Sequence, residues 1–253
     1  VKSNADGEEL SPLDIYITKT ALGLFINSAV LLVIMMSCVR WYKKHPLEDG
    51  APKGGVGMIE ATVLSIYNDV IKGCIGENYR RYAPYLLTAF FFVLVNNLMG
   101  LIPIFPGGAN VTGNIAITLV LALCTFVLTN VYGTKAYWKE IFWPDVPTWL
   151  KAPIPMMPLI EFFGIFTKPF ALMIRLFANI MAGHAAVLSL VAIIFITVKS
   201  GPVINGSMTV VSVAFSIFMN ALEILVAFIQ AYVFTMLSAV FIGLSQVKEH
   251  AEK

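Results

Sequence analysis

Long uncharged runs, rather than strict alternation, organise this chain. Thr20 to Val39 carries no charge over 20 residues, and at about 1.5 Å per residue such a helix spans a hydrocarbon layer about 30 Å thick. Arg40-Trp41-Tyr42-Lys43-Lys44 closes it with basic and aromatic residues that anchor at a membrane interface. Gly50 to Gly57, with Pro46 and Pro52, reads as a connector. In 58–81 the apolar residues Met58, Ile59, Val63, Ile66, Val70 and Ile71 recur near helical spacing, with Glu60, Asp69 and Lys72 between them. That pattern predicts an amphipathic helix at the bilayer surface. Tyr82 to Thr134 is again free of charge, and Pro103-Ile104-Phe105-Pro106-Gly107-Gly108 divides it into two segments, each long enough to span. Residues 133–158 carry Lys135, Lys139, Glu140, Asp145 and Lys151 among Pro144, Pro147, Pro153, Pro155 and Pro158, and so form a linker. Beyond it lie two arms of about 40 residues, Leu159 to Val198 and Ser207 to Val247, each about 60 Å long if helical. That is about twice the hydrocarbon thickness, so the arms must tilt strongly, run partly along the membrane or break; Pro169 is the expected bend.

These elements predict an all-α integral membrane protein with about five membrane-crossing helices, including a long, strongly tilted helical hairpin, plus one interfacial amphipathic helix. The whole chain, 1–253, forms one membrane domain. Its parts are a polar outer N-terminus (1–19), a first span (20–39), a basic loop with the amphipathic helix (40–81), second and third spans (82–134), an inner linker (135–158), the hairpin (159–247) and an inner tail (248–253). Lysine and arginine set the orientation. Arg40, Lys43, Lys44, Lys53, Lys72, Arg80 and Arg81 crowd the first loop and Lys135, Lys139 and Lys151 the linker, whereas 103–113 has none and the hairpin tip only Lys199. The basic loops should face the cytoplasm, leaving the N-terminus outside and Lys248 to Lys253 inside. Val1 to Asp14 is polar with acidic bias and starts without Met, as removal of an upstream targeting segment would leave it.

Composition settles the solvent: 58% hydrophobic and 13% charged residues, with mean hydropathy +0.81, exceed what a soluble domain carries. A net charge of +2 without a basic stripe excludes nucleic acid as a partner. Partners are lipid and other membrane subunits. Cys38, Cys74 and Cys124 have no paired spacing and imply neither disulfides nor a metal. There is no phosphate-cradling Gly-x-x-x-x-Gly-Lys-Ser/Thr sequence and no HExxH, so nothing points to a nucleotide, cofactor or metal site.

The chemistry concentrates in polar groups inside apolar arms. Arg175 is the one charge between Lys168 and Lys199. Arginine cannot shed its proton, and a lone one at mid-bilayer costs from about 2.5 to above 10 kcal/mol. Its anionic partner must come from elsewhere. At about 100° per residue, Ala178, Asn179, Ala182 and Ala186 share its side of the helix, while His184 falls about 180° away. Small residues let a neighbouring helix approach closely in lipid. In the second arm Glu223 and Gln230 stand seven apart, with Ala227 between and Asn220 nearby, as a polar stripe. Because the arms run antiparallel, His184 and Glu223 are placed to meet. Lone intramembrane amides more often join helices than carry protons, which is the first reading for Asn97, Asn220 and Gln230. His184 and Glu223 fit a structural pair as well as a relay. Glu161 fits an interface charge or a channel mouth.

Ile174-Arg175-Leu176-Phe177-Ala178-Asn179-Ile180-Met181-Ala182-Gly183-His184 resembles the central arginine motif of subunit a of the rotary F-type ATP synthase, with the Asn four and the Gly eight residues after the arginine in place. The likeness extends to Tyr85-Leu86-Leu87, to Asn96-Asn97-Leu98-Met99-Gly100-Leu101-Ile102-Pro103, to Glu161 and Lys168-Pro169, and to Glu223 and Gln230 within Ala221 to Ala231. It covers about residues 80–245; the first 80 match in general plan.

The resemblance implies a non-catalytic, proton-translocating stator beside a rotating ring of c subunits, together with peripheral-stalk b subunits, in an energy-coupling membrane, a bacterial inner membrane ahead of a mitochondrial one. Arg175 would hold an ionised ring carboxylate and block direct leakage between two offset half-channels. His184, Glu223, Asn97 and Gln230 would line or support the outer half-channel, Glu161 the inner one, and Asn179 would support Arg175. Some relatives carry an acid at the position of His184 and a histidine at that of Glu223, so the pair survives with its members exchanged. Gly100 stands where some relatives are acidic, which removes one carrier. The alternative is a self-contained proton-coupled secondary transporter using Arg175, His184 and Glu223, although no internal repeat supports it. An intramembrane metalloenzyme lacks its ligands.

Overall fold

The computed structural model describes residues 19–45, 52, 54–102, 111–142, 156–198 and 201–246. The polar N-terminus, the Pro103 to Gly108 segment, the proline-rich part of the linker, Lys199 and the inner tail lie outside them. Among the described residues the regular structure is helical throughout. Helix α1 runs Lys19–Lys44, α2 Gly55–Ser65, α3 Tyr79–Leu101, α4 Ile115–Val131, α5 Lys135–Phe142, α6 Met156–Thr197 and α7 Pro202–Ser245. The chain is an integral membrane protein: α1, α3, α6 and α7 lie in helical runs long and apolar enough to cross a bilayer, and α4 is a shorter apolar helix.

The segment expected on the bilayer surface is helical, but its apolar face is turned into the protein. After α2 the helix widens into a π-helical stretch, Ile66–Lys72. Looser winding brings Ile66, Val70 and Ile71 to one side, where all three are buried, while Asp69 and Lys72 stay exposed. Together with Ile75 they pack on Tyr82, Leu86 and Phe90 of α3 and on Phe234 and Ile242 of α7. The physical reason is competition between apolar surfaces: this face meets side chains at core density instead of lipid tails. The chain then turns at Gly76, whose φ of 73° suits glycine.

The hairpin forms as two unbroken helices of 42 and 44 residues, about 63 and 66 Å long. Pro169 lies inside α6 without ending it. A bond from Thr197 Oγ1 to Asn205 Oδ1, 3.1 Å, ties the tip. At the other end the last turn of α7 is clasped by its neighbours. Thr134 N donates to Ser245 O at 2.9 Å, Gln246 Nε2 to Tyr132 O at 2.6 Å, and Gly243 lies directly against the Cys74 carbonyl. Nearer the centre, Tyr85 Oη and Thr125 Oγ1 stand 2.8 Å apart and Thr125 Oγ1 and Ser238 Oγ 3.3 Å apart, which joins α3, α4 and α7 through hydroxyls. Helix α1 is mostly exposed, yet Asn27 is 1% exposed and its Nδ2 donates to Asn96 Oδ1 of α3 at 2.9 Å. This polar bond fixes how α1 sits on the bundle.

Candidate functional site

Helices α3, α6 and α7 enclose a cavity of about 270 Å³. Asn97 and Leu101 reach it from α3, Asn179, Gly183 and His184 from α6, and Met219, Glu223 and Ala227 from α7. Their spacing explains the convergence. Asn179 and Gly183 are one turn apart on α6, Glu223 and Ala227 one turn apart on α7, and each pair shares a face. Gly183 sets the closeness: a Cβ placed there would stand 2.6 Å from Glu223 Oε1. Without a side chain at 183, the carboxylate lies on the α6 backbone.

The polar groups of this cavity are incompletely satisfied. Asn97 is 2% exposed and its Nδ2 donates to Ala227 O at 3.4 Å, but its Oδ1 has no partner among the described residues. Glu223 Oε1 is buried and likewise without one. His184 and Glu223 both line the cavity. Buried acceptors left unmade cost about 1–3 kcal/mol each, more when charged, so both residues carry an unmet demand for a donor beside the cavity.

Arg175 lies outside this cavity. It is exposed on α6 one turn before Asn179, on a side where Ala171, Ala178 and Ala182 are exposed too. Glu161, Lys168 and Arg175 follow at intervals of seven residues, which drift by about 20° per step and so trace one face of α6. Along it Lys168 Nζ sits 5.8 Å over the Phe241 ring. Tyr137 of α5, 6% exposed, packs with Ile165. Its phenol is pushed up by burial and then by the Glu161 carboxylate, which places that acid beside the linker helix. Gln230 is buried on α7, two turns beyond Glu223. Since α7 runs antiparallel to α6 and Glu223 faces Gly183, Gln230 comes within about a turn of Arg175 along the hairpin. Asn220 is not brought to the stripe: it is exposed, and its Nδ2 returns to Ser216 O at 2.8 Å. Among the described residues no three His, Cys, Asp or Glu side chains gather as metal ligands would.

Two features escaped sequence reading. Asn27 was detectable as the one amide in the Thr20 to Val39 run, but its partner lies 69 residues away. Gly183 carried no signal of close approach beyond being a glycine in a helix.

The fold and the site define a class: a multi-pass helical membrane protein whose long antiparallel hairpin bears an exposed arginine and, starting one turn further along, a cavity lined by a glutamate, a histidine and two amides. The chain belongs to the ATP synthase A chain family, which matches residues 23–243. It is 48% identical over 246 residues to ATP synthase subunit a of Chlorobium phaeobacteroides, covering 94% of this chain and 68% of that one. To the subunit a of Chloroherpeton thalassium it is 44% identical over 245 residues, with 95% and 70% covered. To that of Myxococcus xanthus it is 39% identical over 244 residues, with 94% and 75% covered. It is thus a non-catalytic component of the membrane sector of an ATP synthase complex.

Proposed function

We propose that this chain is the proton-conducting stator of a rotary ATP synthase, working against a ring of c subunits with membrane-embedded carboxylates and held by peripheral-stalk b subunits. The observation that carries the reading is the adjacency on α6: Arg175 exposed among alanines, and from one turn further on Asn179, Ala182, Gly183 and His184 lining a cavity together with Asn97 and Glu223. The cavity serves as the half-channel open to the outer side. A proton entering it is held by His184 and Glu223, whose order of titration belongs to the pair. Asn97 orients the donor, and Asn179 and Gln230 support the passage toward Arg175. Glu161 serves the inner half-channel beside Tyr137. Arg175, always charged, draws an ionised ring carboxylate to the alanine face and prevents protons from crossing unless the ring turns. The basic loops place the N-terminus outside and the C-terminus in the cytoplasm of a bacterial inner membrane.

The test is Arg175→Ala in the intact complex reconstituted into vesicles. ATP-driven proton pumping is expected to vanish while the assembled complex is recovered in normal amount. Coupled pumping at the parental rate by that variant refutes the assignment.

A further inference from the structure

A second, smaller gap lies toward the linker end of the hairpin, where α4, α5, α6 and α7 meet. Its volume is about 10 Å³, room for about one water molecule and nothing larger. Two of the residues lining it have ionisable ends, Lys168 of α6 and Tyr137 of α5. Ile165 and Pro169 complete the α6 side. Proline has no N–H, so the Ile165 carbonyl, which points along the helix at Pro169, loses the bond that a residue four positions on would give it. In membranes a carbonyl freed in this way is satisfied by a neighbouring hydroxyl or an ordered water. The hydroxyls and the amide that α4 brings to the gap are already engaged. Thr129 Oγ1 donates to Thr125 O at 2.8 Å, Thr125 Oγ1 stands 3.3 Å from both Leu121 O and Ser238 Oγ, and Asn130 Nδ2 donates to Phe126 O at 2.8 Å. Asn130 Oδ1 is sealed off from the gap.

That leaves Lys168 and Tyr137. Among the described residues the Lys168 ammonium has the Phe241 ring, 5.8 Å away, for a partner and no acid. Glu161 stands seven residues earlier, about 10 Å along the helix axis. Tyr137 spans the interval: it lines the gap, and its phenol, pushed up first by burial and then by the Glu161 carboxylate, lies near that acid and keeps its proton. A water in the gap completes a line of donors. The ammonium has only N–H groups to offer and takes the water oxygen. The two water hydrogens go to the Ile165 carbonyl and the Tyr137 oxygen, which turns the phenol hydrogen toward Glu161.

We propose that Lys168, the Ile165 carbonyl and Tyr137 hold one ordered water between α4, α5, α6 and α7, and that this line of donors fixes the Glu161 carboxylate as the inner proton acceptor. Lys168 and Tyr137 are positioning residues that act through Glu161. The role of Glu161 rests on the half-channel reading given above; the water site does not.

The first experiment needs no variant: electron cryo-microscopy of the intact ATP synthase complex in lipid nanodiscs, at a resolution that shows ordered water. A water within about 3 Å of Lys168 Nζ, the Ile165 oxygen and Tyr137 Oη is expected. No water there, or Lys168 bonded straight to Glu161, overturns the site. The second measures ATP-driven proton pumping per assembled complex in vesicles. Tyr137→Phe keeps the ring and removes one hydroxyl, so pumping should fall about tenfold, the scale of one hydrogen bond to a charged group, while the melting temperature hardly moves. Ile141→Ala thins the apolar cluster around Tyr137 without lining the gap. It should do the opposite, lowering the melting temperature and leaving pumping per complex at the parental rate. Lys168→Met keeps the length of the side chain and should lose as much as Tyr137→Phe, and the double variant no more than either, because the line breaks only once. Additive losses overturn the line. Glu161→Gln tells the two readings apart. Pumping lost there but unslowed in Tyr137→Phe sinks the positioning claim and leaves the half-channel standing. Pumping at the parental rate in Glu161→Gln sinks the inner half-channel, and the water site then stands or falls on the density.

Discussion

Gly183→Ala separates packing from proton handling more cleanly than any change to a charged group. The added Cβ would stand 2.6 Å from Glu223 Oε1, 3.2 Å from Cδ and 3.3 Å from Cγ, and ordinary contact begins near 3.4 Å. The carboxylate must therefore withdraw by about 0.8 Å or leave its rotamer. An off-rotamer side chain costs about 0.5–1.5 kcal/mol. Replacing glycine by alanine inside a helix returns about 1 kcal/mol of backbone preference. These terms nearly cancel, so the melting temperature of the complex should hardly move. Function should respond much more, because a displacement of about 1 Å at a reacting group can cost about a hundredfold. We expect ATP-driven acidification of inverted vesicles, followed with a pH-sensitive dye and normalised to assembled complex, to fall about tenfold to a hundredfold. Adding Glu223→Asp shortens the side chain by one methylene, removes the 2.6 Å contact with the new Cβ and should restore part of the rate. Parental pumping by Gly183→Ala, or a loss that merely tracks the amount of complex, refutes the claim that Gly183 positions Glu223.

Three further outcomes follow from other contacts. Asn27→Leu removes the bond to Asn96 and should lower the stability of the α1–α3 contact by about 0.6 kcal/mol and at most about 1.7, the measured scale for such bonds in bilayers; a melting temperature identical to the parent's would show that the bond holds nothing. Gly243→Ala drives a methyl into the Cys74 carbonyl, a backbone group that cannot swing aside, and the overpacking cost of about 1–3 kcal/mol should outweigh the helical gain and lower the melting temperature. His184 and Glu223 share one cavity, so single and double substitutions should act non-additively on proton flux; strict additivity would mean that they serve separate steps.

The spans were legible because the bilayer imposes a simple rule, uncharged runs of sufficient length, and α1, α3 and the two hairpin helices obey it. Part of the site was legible for the same reason. Rotation by 100° per residue puts His184 opposite Arg175, and antiparallel arms bring His184 level with Glu223; the cavity holds both. Rotation alone could not say where burial ends along α7. Asn220 lies about 60° from Glu223, on the same flank as Ala227 at about 40°, yet Ala227 and Gln230 are buried and Asn220 exposed, so position along α7 rather than angle around it decides. Nor could spacing reveal the π-helical stretch at Ile66–Lys72, whose widened turn depends on the partners its apolar face meets. The bond between Asn27 and Asn96 joins residues whose relation is set by how α1 docks, which neither segment encodes by itself.

The separation of the two central charges follows a constraint of its own. Glu223 lies against Gly183, eight residues beyond Arg175 on α6, an axial offset of about 12 Å. At that distance and an effective dielectric of about 20, their attraction is about 1.4 kcal/mol. Taking either ion out of water costs several kcal/mol, so neither suffices to keep the other in a membrane. Among the described residues neither pairs with an opposite charge, and the proposed stator supplies what each needs from outside: a ring carboxylate at the exposed alanine face for Arg175, and a proton entering the cavity for Glu223. Had the two been about 4 Å apart, they would attract by about 4 kcal/mol at the same dielectric and form a closed internal pair. A closed pair could neither draw a carboxylate from another subunit nor receive a proton from outside. Two turns of helix therefore keep both groups available for the roles proposed for them.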